Sequence, residues 1–264
     1  MGSDRIEGKV IIVTGAGAGI GLALTKQLLA RDTVSLVVGV DIKTSELETL
    51  AISHAQRLSV VQGDVARRST NTGAVNAAIQ QRGKLDCIIL NAAILRPVGP
   101  IADTPVQEWK SLFDVNFFGL VHAIQLSLPY LRRSNGQILM TSSGVSLQPY
   151  HAWAAYACSK AAMNCLCASL AKEEPQVKSL CLTPGIVNSG MQAEVREEHK
   201  FHMPAEQYNW LTDLHANGEL LPPEAPASTF ASLALSEIPK DLNGQVIAWD
   251  DHRIVAGSNG SLSK

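Results

Sequence analysis

The first twenty-one residues constrain the fold more than any other part of this chain. A short β-branched run, Lys9 to Val13, stops at Thr14-Gly15 and continues as Ala16-Gly17-Ala18-Gly19-Ile20-Gly21. From Ile20 the apolar residues fall at Ile20, Leu24, Leu28 and Leu29, the period of a helix that runs to about Arg31. A strand that turns through glycines directly into a helix opens a βαβ unit. Glycines at that turn let the backbone fold back sharply and let a pyrophosphate approach N–H groups at the positive end of the helix. Gly15, Gly17, Gly19, Ile20 and Gly21 are therefore candidate dinucleotide-binding residues.

The same alternation repeats along the chain. Strands are expected at Ser35–Val40, Leu58–Val61, Asp86–Leu90, Gln137–Met140, Val177–Leu182 and Gln245–Trp249. Helices are expected near Ser45–Gln56, Ser69–Arg82, Val106–Arg132 and Trp153–Lys172. Strands separated by helices call for right-handed crossovers, so the fold class is α/β: a doubly wound parallel sheet of about seven strands, covered on both faces. No repeat or linker divides the chain, and residues 1–264 are read as one domain. The cofactor half would be about 1–140 and the catalytic and substrate half about 141–264. The segment from Ser189 to Pro226 interrupts the alternation, and an excursion of that length in a compact fold is usually functional or mobile.

Composition removes several functions. Lys plus Arg is 22 and Asp plus Glu is 24, a net charge near −2, which is no electrostatic footprint for nucleic acid or an anionic membrane. Hydrophobic residues make up 46% and charged ones 17%, enough for a sizeable core. No uninterrupted apolar run reaches the roughly 20 residues that span a bilayer. The uncharged stretch Val10–Thr25 carries four glycines, lacks a basic flank and follows Asp4 and Glu7, so it is not read as a signal peptide. Cys87, Cys158, Cys165, Cys167 and Cys181 form no CxxC pair and are read as reduced thiols packed as small hydrophobes, which suits a cytoplasmic protein. His199-x-x-His202 has no companion carboxylate motif and is read as surface histidines, with no metal site.

Asp41 ends the second strand, about twenty residues beyond the last glycine. A carboxylate there accepts hydrogen bonds from the adenosine ribose hydroxyls and repels a 2′-phosphate, which favours NAD(H) and leaves NADP(H) as the alternative. Lys43, two residues on, is the basic group that could offset it. Asp64, in Gly63-Asp64-Val65, stands where it could accept from an adenine amino group or cap the next helix.

Tyr156-Ala157-Cys158-Ser159-Lys160 lies in a helical segment, so Tyr156 and Lys160 share one face. An ammonium near the phenol, with the positive nicotinamide of an oxidised cofactor, lowers the phenol pKa. Bringing it from near 10 to about 7 takes roughly 4 kcal/mol of preferential phenolate stabilisation, which makes Tyr156 an acid/base candidate. Leu139-Met140-Thr141 delivers Ser142-Ser143 to a strand end, where Ser143 either donates to a substrate oxygen or simply makes a turn.

Together these residues resemble the short-chain dehydrogenase/reductase family. The pattern is Thr14-Gly15-xxx-Gly19-Ile20-Gly21, Asn91-Ala92-Ala93, Asn116, Ser143, Tyr156-xxx-Lys160 and Pro184-Gly185, in the family's order and spacing over essentially the whole chain. The resemblance implies a Rossmann-like fold with Tyr156 as proton donor or acceptor. It implies that Lys160 binds the nicotinamide ribose and tunes the tyrosine, that Ser143 orients the carbonyl, and that Asn116 holds a relay water. It places Asn91, Ala92, Ala93, Asp64, Val65, Pro184, Gly185, Val187 and Ser189 against the cofactor, Ala93 standing where the family usually has Gly. A narrower likeness runs through Leu112-Phe113-Asp114-Val115-Asn116, Ser142-Ser143-Gly144-Val145-Ser146, Pro149-Tyr150, Trp153 and Glu173-Glu174-Pro175. These are similar to the benzil reductase branch, related to sepiapterin-reductase-like enzymes, which reduces one carbonyl of a vicinal diketone and generally uses NADPH.

Met191, Val195, Phe201, Met203, Tyr208, Trp210, Leu211 and Leu214 in the 189–226 excursion read either as the apolar side of a lid or as amphipathic surface helices. With Val145, Tyr150, Trp153 and Met191 as candidate substrate contacts, the expected substrate is an uncharged, mostly apolar ketone or secondary alcohol. The work could run as carbonyl reduction or alcohol oxidation, and a catalytically idle NAD-sensing scaffold is the competing class. The long helix and the Tyr156 helix are expected to build a homodimer or homotetramer, as the family does.

Overall fold

A computed structural model describes residues 8–254. Seven strands form one parallel sheet: β1 (Lys9–Thr14), β2 (Val34–Asp41), β3 (Leu58–Gln62), β4 (Cys87–Leu90), β5 (Gln137–Thr141), β6 (Lys178–Thr183) and β7 (Val246–Ala248). Their order is β3-β2-β1-β4-β5-β6-β7, so the chain walks outward from β1, then returns to continue on its other side. That reversal between β1 and β4 opens a crevice at the carboxyl ends of the strands, the usual ligand position in such sheets. In register, Ile12 of β1 pairs with Val38 of β2 and with Ile88 of β4.

The strands are apolar on both sides because both sides are covered. Ile11, Val13, Val37, Ile89 and Leu139 face one way, under α1 (Gly19–Leu29) and α9 (Glu224–Leu235). Val10, Ile12, Val38, Ile88 and Ile138 face the other, under α3 (Arg68–Arg82), α5 (Gly119–Ser134) and α6 (Ala154–Glu173). This two-residue alternation fixes which strand residues serve each layer. The remaining helices are α2 (Ser45–Ser53), α4 (Val106–Phe113), α7 (Gly190–Glu198) and α8 (Ala205–Ala216).

Three features differ from the sequence reading. The helix expected over Val106–Arg132 is α4 and α5 joined by one π-helical turn, Asp114–Phe118, and it extends to Ser134. By length and composition alone Val106–Ser134 could cross a bilayer; in the fold, Leu112, Leu120, Ala123, Ile124 and Leu131 of that run are buried. The second difference is α9, which the sequence reading did not assign: Ala227, Phe230, Ala231, Leu233 and Ala234 are all buried, packed against α1. The third concerns the thiols, since Cys158 and Cys165 are exposed on α6 and only Cys87, Cys167 and Cys181 behave as core residues.

Candidate active site

A cleft of about 440 Å³ lies over the crevice between β1 and β4. Its floor is the glycine turn. Gly15 has φ +65, and a Cβ there would stand 2.8 Å from Ala92 Cα, so this position requires glycine. Gly19, φ +50, is different: an added Cβ would meet only Ser189, at 3.6 Å, so its backbone faces open space. Helix α1 begins there with no side-chain cap and no acidic residue in its first turn. Its first amides thus remain available to an anion, and the turn fits the pyrophosphate of a dinucleotide.

Asp41 lines the cleft beside this turn. Its Oδ2 accepts from Gly17 N–H at 2.8 Å and its Oδ1 from Lys43 N–H at 2.9 Å. Each oxygen keeps a lone pair for a ribose hydroxyl. Gly17 is bound to this arrangement, since a Cβ would lie 2.9 Å from Asp41 Cγ and 2.2 Å from the Lys43 carbonyl. Gly17 and Gly21 therefore shape the turn without lining the cleft. Asp64 and Val65 are also outside its lining: Asp64 Oδ1 accepts from Ala66 N–H at 2.9 Å, and the Val65 carbonyl accepts from Asn71 at 2.7 Å. Asp64 is not the helix cap either, since Arg67 occupies that position before α3.

Asn91, Ala92 and Ala93 follow β4 along the floor. The Asn91 amide donates to the carbonyls of Thr14 (3.2 Å) and Gly15 (3.1 Å) and accepts from the Thr141 hydroxyl (3.1 Å), tying the ends of β1, β4 and β5 together. Pro184, Gly185, Val187 and Ser189 supply the opposite wall after β6.

The reactive side chains converge at the far end. Ser143 follows β5, its hydroxyl accepting from Val145 N–H at 3.4 Å, and the Tyr156 phenol reaches toward it from α6. Lys160 lies one helical turn beyond Tyr156, 1% exposed, its Nζ donating to the Thr141 carbonyl at 2.7 Å and standing 5.6 Å from the Tyr156 ring centre. Burial pushes the phenol up to about 12, against the nearby Ser143 hydroxyl, which lowers it. Burial also pulls the Lys160 ammonium down to about 8. The sequence reading expected the neighbouring ammonium to lower the phenol; in the structure desolvation dominates and the tyrosine keeps its proton at neutral pH.

Asn116 sits in the π-turn beneath these residues, fully buried and outside the cleft lining. Its Nδ2 donates to the Ile94 carbonyl at 2.9 Å and to Ser159 Oγ at 3.2 Å, and its Oδ1 accepts from Ile94 N–H at 2.9 Å. Its amide is therefore committed to protein groups.

The 189–226 excursion closes over the reactive end. Met191 and Val195 of α7 and Leu211 of α8 line the cleft, facing Val145, Tyr150 and Trp153. Val195, Met203 and Leu211 belong to one apolar cluster with Trp153 and Tyr156, so the two helices cover the site. Phe201 does not join them and is 92% exposed, while Trp210 is partly exposed and meets Tyr150 edge-on at 5.8 Å. His199 also departs from the surface reading: it is buried, with Nε2 3.1 Å from Glu194 Oε1.

Residues 9–200 match the profile of the short chain dehydrogenase family. The chain is a member of that family. It is 38% identical over 257 residues to "Benzil reductase ((S)-benzoin forming) IRC24" of Saccharomyces cerevisiae, covering 94% of this chain and 98% of that one. The crystal structure of the short chain dehydrogenase/reductase YIR035C from Saccharomyces cerevisiae superposes with a TM-score of 0.92 at 37% identity, covering 94% and 99% of the two chains. A further structure, described as a cytoplasmic protein of unknown function from Saccharomyces cerevisiae, gives 0.81 at 36% identity and the same coverage. As a short chain dehydrogenase, the protein is an oxidoreductase of the carbonyl and alcohol type with a Rossmann-like fold.

Two groups in this short chain dehydrogenase were not singled out from sequence. Asn164, one turn past Lys160, accepts from Ser142 Oγ at 2.6 Å and donates to Ser146 Oγ at 2.9 Å; Ser146 in turn donates to the Ser143 carbonyl at 2.6 Å. This clasp holds the backbone that carries the Ser143 hydroxyl. Gln192 of α7, 6% exposed, lines the cleft. The available signal for Asn164 was its spacing, eight residues after Tyr156 and so on nearly the same helix face.

Proposed function

We propose that this protein is an NAD(H)-dependent carbonyl reductase for uncharged, largely apolar ketones, with aromatic vicinal diketones as the preferred class. The observation that carries the reading is the meeting of Ser143, Tyr156 and Lys160 at the reactive end of a cleft whose other end is the uncapped glycine turn. A bound reduced nicotinamide supplies the hydride. The Ser143 hydroxyl holds the substrate carbonyl, and Tyr156 gives its phenolic proton to the oxygen as negative charge develops there. The phenol's raised pKa keeps that proton in place at neutral pH, which suits reduction. Lys160, anchored on the Thr141 carbonyl, holds positive charge behind the tyrosine and has N–H groups left for the nicotinamide ribose. Asn116 fixes the floor below Lys160 through its side-chain bonds to the Ile94 backbone and to Ser159.

The apolar wall of Met191, Val195, Leu211 and Tyr150 supports an uncharged substrate. Similarity to a benzil reductase supports a diaryl diketone. The Asp41 carboxylate, fixed by two backbone N–H groups beside the turn, supports NAD(H) over NADP(H). We extend the proposal to a single functional unit spanning the chain, to a cytoplasmic setting, and to a homo-oligomer assembled through the helices that expose Phe118, Cys158 and Cys165.

The experiment is to follow absorbance of reduced nicotinamide with purified protein and a vicinal diketone, in parallel with NADH and NADPH. Faster consumption of NADH supports both parts of the reading. Preference for NADPH overturns the cofactor assignment, and no consumption of either overturns the reductase.

A further inference from the structure

Helix α7 carries one wall of the cleft and is tied to the body through charge. Glu194 Oε1 accepts from Arg96 Nε at 2.6 Å, and the Arg96 fork also reaches Glu198. The same Glu194 oxygen lies 3.1 Å from Nε2 of the buried His199. One guanidinium thus spans two carboxylates on successive turns of one helix, a geometry that a lone surface pair lacks. Among the described residues, no other side-chain hydrogen bond joins α7 to the chain outside the 189–226 excursion. Met191 and Val195, four residues apart, line the cleft; Glu194 and Glu198, also four apart, lie beside them on α7.

The base of this contact is rigid. Arg96 leaves the loop after β4, where both backbone groups of Ile94 are held by the buried Asn116 amide, each at 2.9 Å. Leu95 is buried in the apolar cluster that contains Val195, and Gly99 N–H donates to the Ala152 carbonyl at 2.9 Å. Helix α8 has a tie of its own: Gln207 accepts from His151 N–H at 3.1 Å and donates to the His151 carbonyl at 3.3 Å. The two lid helices are therefore fastened separately, α7 by charge and α8 by an amide. Arg96 and Glu198 are exposed, so dissolved salt screens the first fastening far more than the second.

We propose that Arg96 is a positioning residue: it latches α7 through Glu194 and Glu198 and so sets how tightly Met191 and Val195 close on the substrate. Arg96 itself does not line the cleft. The inference rests on the carbonyl-reductase reading for what the lid covers, and on the ion-pair geometry for the latch. Lone surface ion pairs count for little, but two on one guanidinium are expected to shift the lid equilibrium by about 3- to 10-fold.

Two measurements on the full chain test it. The first follows hydrogen exchange by mass spectrometry over α7 and α8. Arg96→Gln is expected to speed exchange in α7 by about 3- to 10-fold and to move α8 much less. The second measures kcat and KM for 1,2-diphenylethanedione at saturating NADH, from about 0.05 to about 0.5 M salt. The ketone is uncharged, so a rise of wild-type KM with salt reports the latch. Arg96→Gln should start about 3- to 10-fold higher in KM and respond little to salt. Glu198→Gln, which keeps the Glu194 contact, should fall between the two, and Arg96→Lys, which keeps the charge without the fork, should recover part of the loss. Unchanged exchange in α7, or equal speeding of α7 and α8, overturns the latch. A loss confined to kcat overturns its role in closing the lid on substrate. Wild type that does not reduce the ketone overturns the reductase reading, while the exchange measurement still decides the latch.

Discussion

Lys160 and Tyr156 are one helical turn apart on α6, yet the ammonium points past the phenol to the Thr141 carbonyl, 2.7 Å away at the end of β5. The lysine is thus fixed by the sheet and the tyrosine by the helix, and Ser143 joins them from the loop after β5. Removing the phenolic oxygen leaves that frame standing. Tyr156→Phe is expected to lower kcat by about 100- to 10,000-fold, the range supplied by a positioned acid. NADH binding, followed by fluorescence titration, should change little. Turnover near the wild-type rate would rule out Tyr156 as the proton donor.

The pH dependence follows from the two shifted groups. Below about 8 both Lys160 and Tyr156 are protonated, which is the form needed to reduce a carbonyl. As pH rises through about 8 the lysine loses its charge while the phenol, pushed to about 12, keeps its proton. Reduction measured as kcat/KM should therefore be level near neutrality and decline above about 8. A profile that climbs across that interval contradicts the assignment.

Burying an ammonium is expensive, and the cost has a sign that can be checked. The folded-state pKa of Lys160 lies below its ordinary 10.5, so the unfolded chain holds the proton more tightly. Stability contributed through this group is lowest below about 8 and recovers as pH rises toward 10.5. The shift corresponds to about 3 kcal/mol at neutral pH. Lys160→Met removes the charge and also strands the Thr141 carbonyl, so a net gain of about 1–2 kcal/mol is expected, together with loss of turnover. Chemical denaturation at pH 7 and at pH 10 should show the gain at the lower pH and little of it at the higher.

Asp41 serves the turn and the proposed ribose contact at once. Asp41→Ser should weaken NADH, lowering kcat/KM by about 10-fold, and improve NADPH relative to it, since a carboxylate repels a 2′-phosphate. A parallel loss with both cofactors would mean that its bonds to Gly17 and Lys43 are its whole role.

The Asn164 clasp acts through Ser143 rather than on substrate. Asn164→Ala is expected to lower kcat about 10-fold with a smaller change in KM, because the backbone under the Ser143 hydroxyl loosens. Asn164→Asp keeps the acceptor for Ser142 and loses the donor to Ser146, so its kcat should fall between wild type and Asn164→Ala. A loss confined to KM would show that Ser143 does not depend on this clasp.

The sheet and the reactive residues were legible because each rests on a local signal. Strands buried on both faces read as β-branched runs, Gly15 and Gly19 sit where left-handed backbone is required, and Tyr156 and Lys160 share a helix face. What escaped depends on distant neighbours. Helix α9 buries Ala227, Phe230, Ala231 and Ala234 beside α1 and exposes Ser228 and Ser232, but its buried face is built largely of alanine, so the contrast between its two faces is weak in the sequence. The π-turn at Asp114–Phe118 coincides with Asn116, whose amide is spent on the backbone of Ile94, twenty-two residues earlier. Desolvation of Tyr156 is likewise a property of the closed cluster with Val195 and Leu211, not of its helix.

The excursion over the cleft leaves and rejoins the body at adjacent points. Val187 and Leu221 pair as an isolated parallel bridge, with Asn188 N–H donating to the Leu221 carbonyl at 2.8 Å and Leu221 N–H to the Ile186 carbonyl at 2.9 Å. Everything between them hangs from a neck whose two sides are already joined. Loop-closure entropy rises only slowly with the length beyond such a neck, so residues can be added or exchanged there at small cost to the sheet. The fold thus keeps Ser143, Tyr156 and Lys160 on β5 and α6 and hangs one wall of the cleft, Met191, Val195 and Leu211, on a cassette tied at its neck.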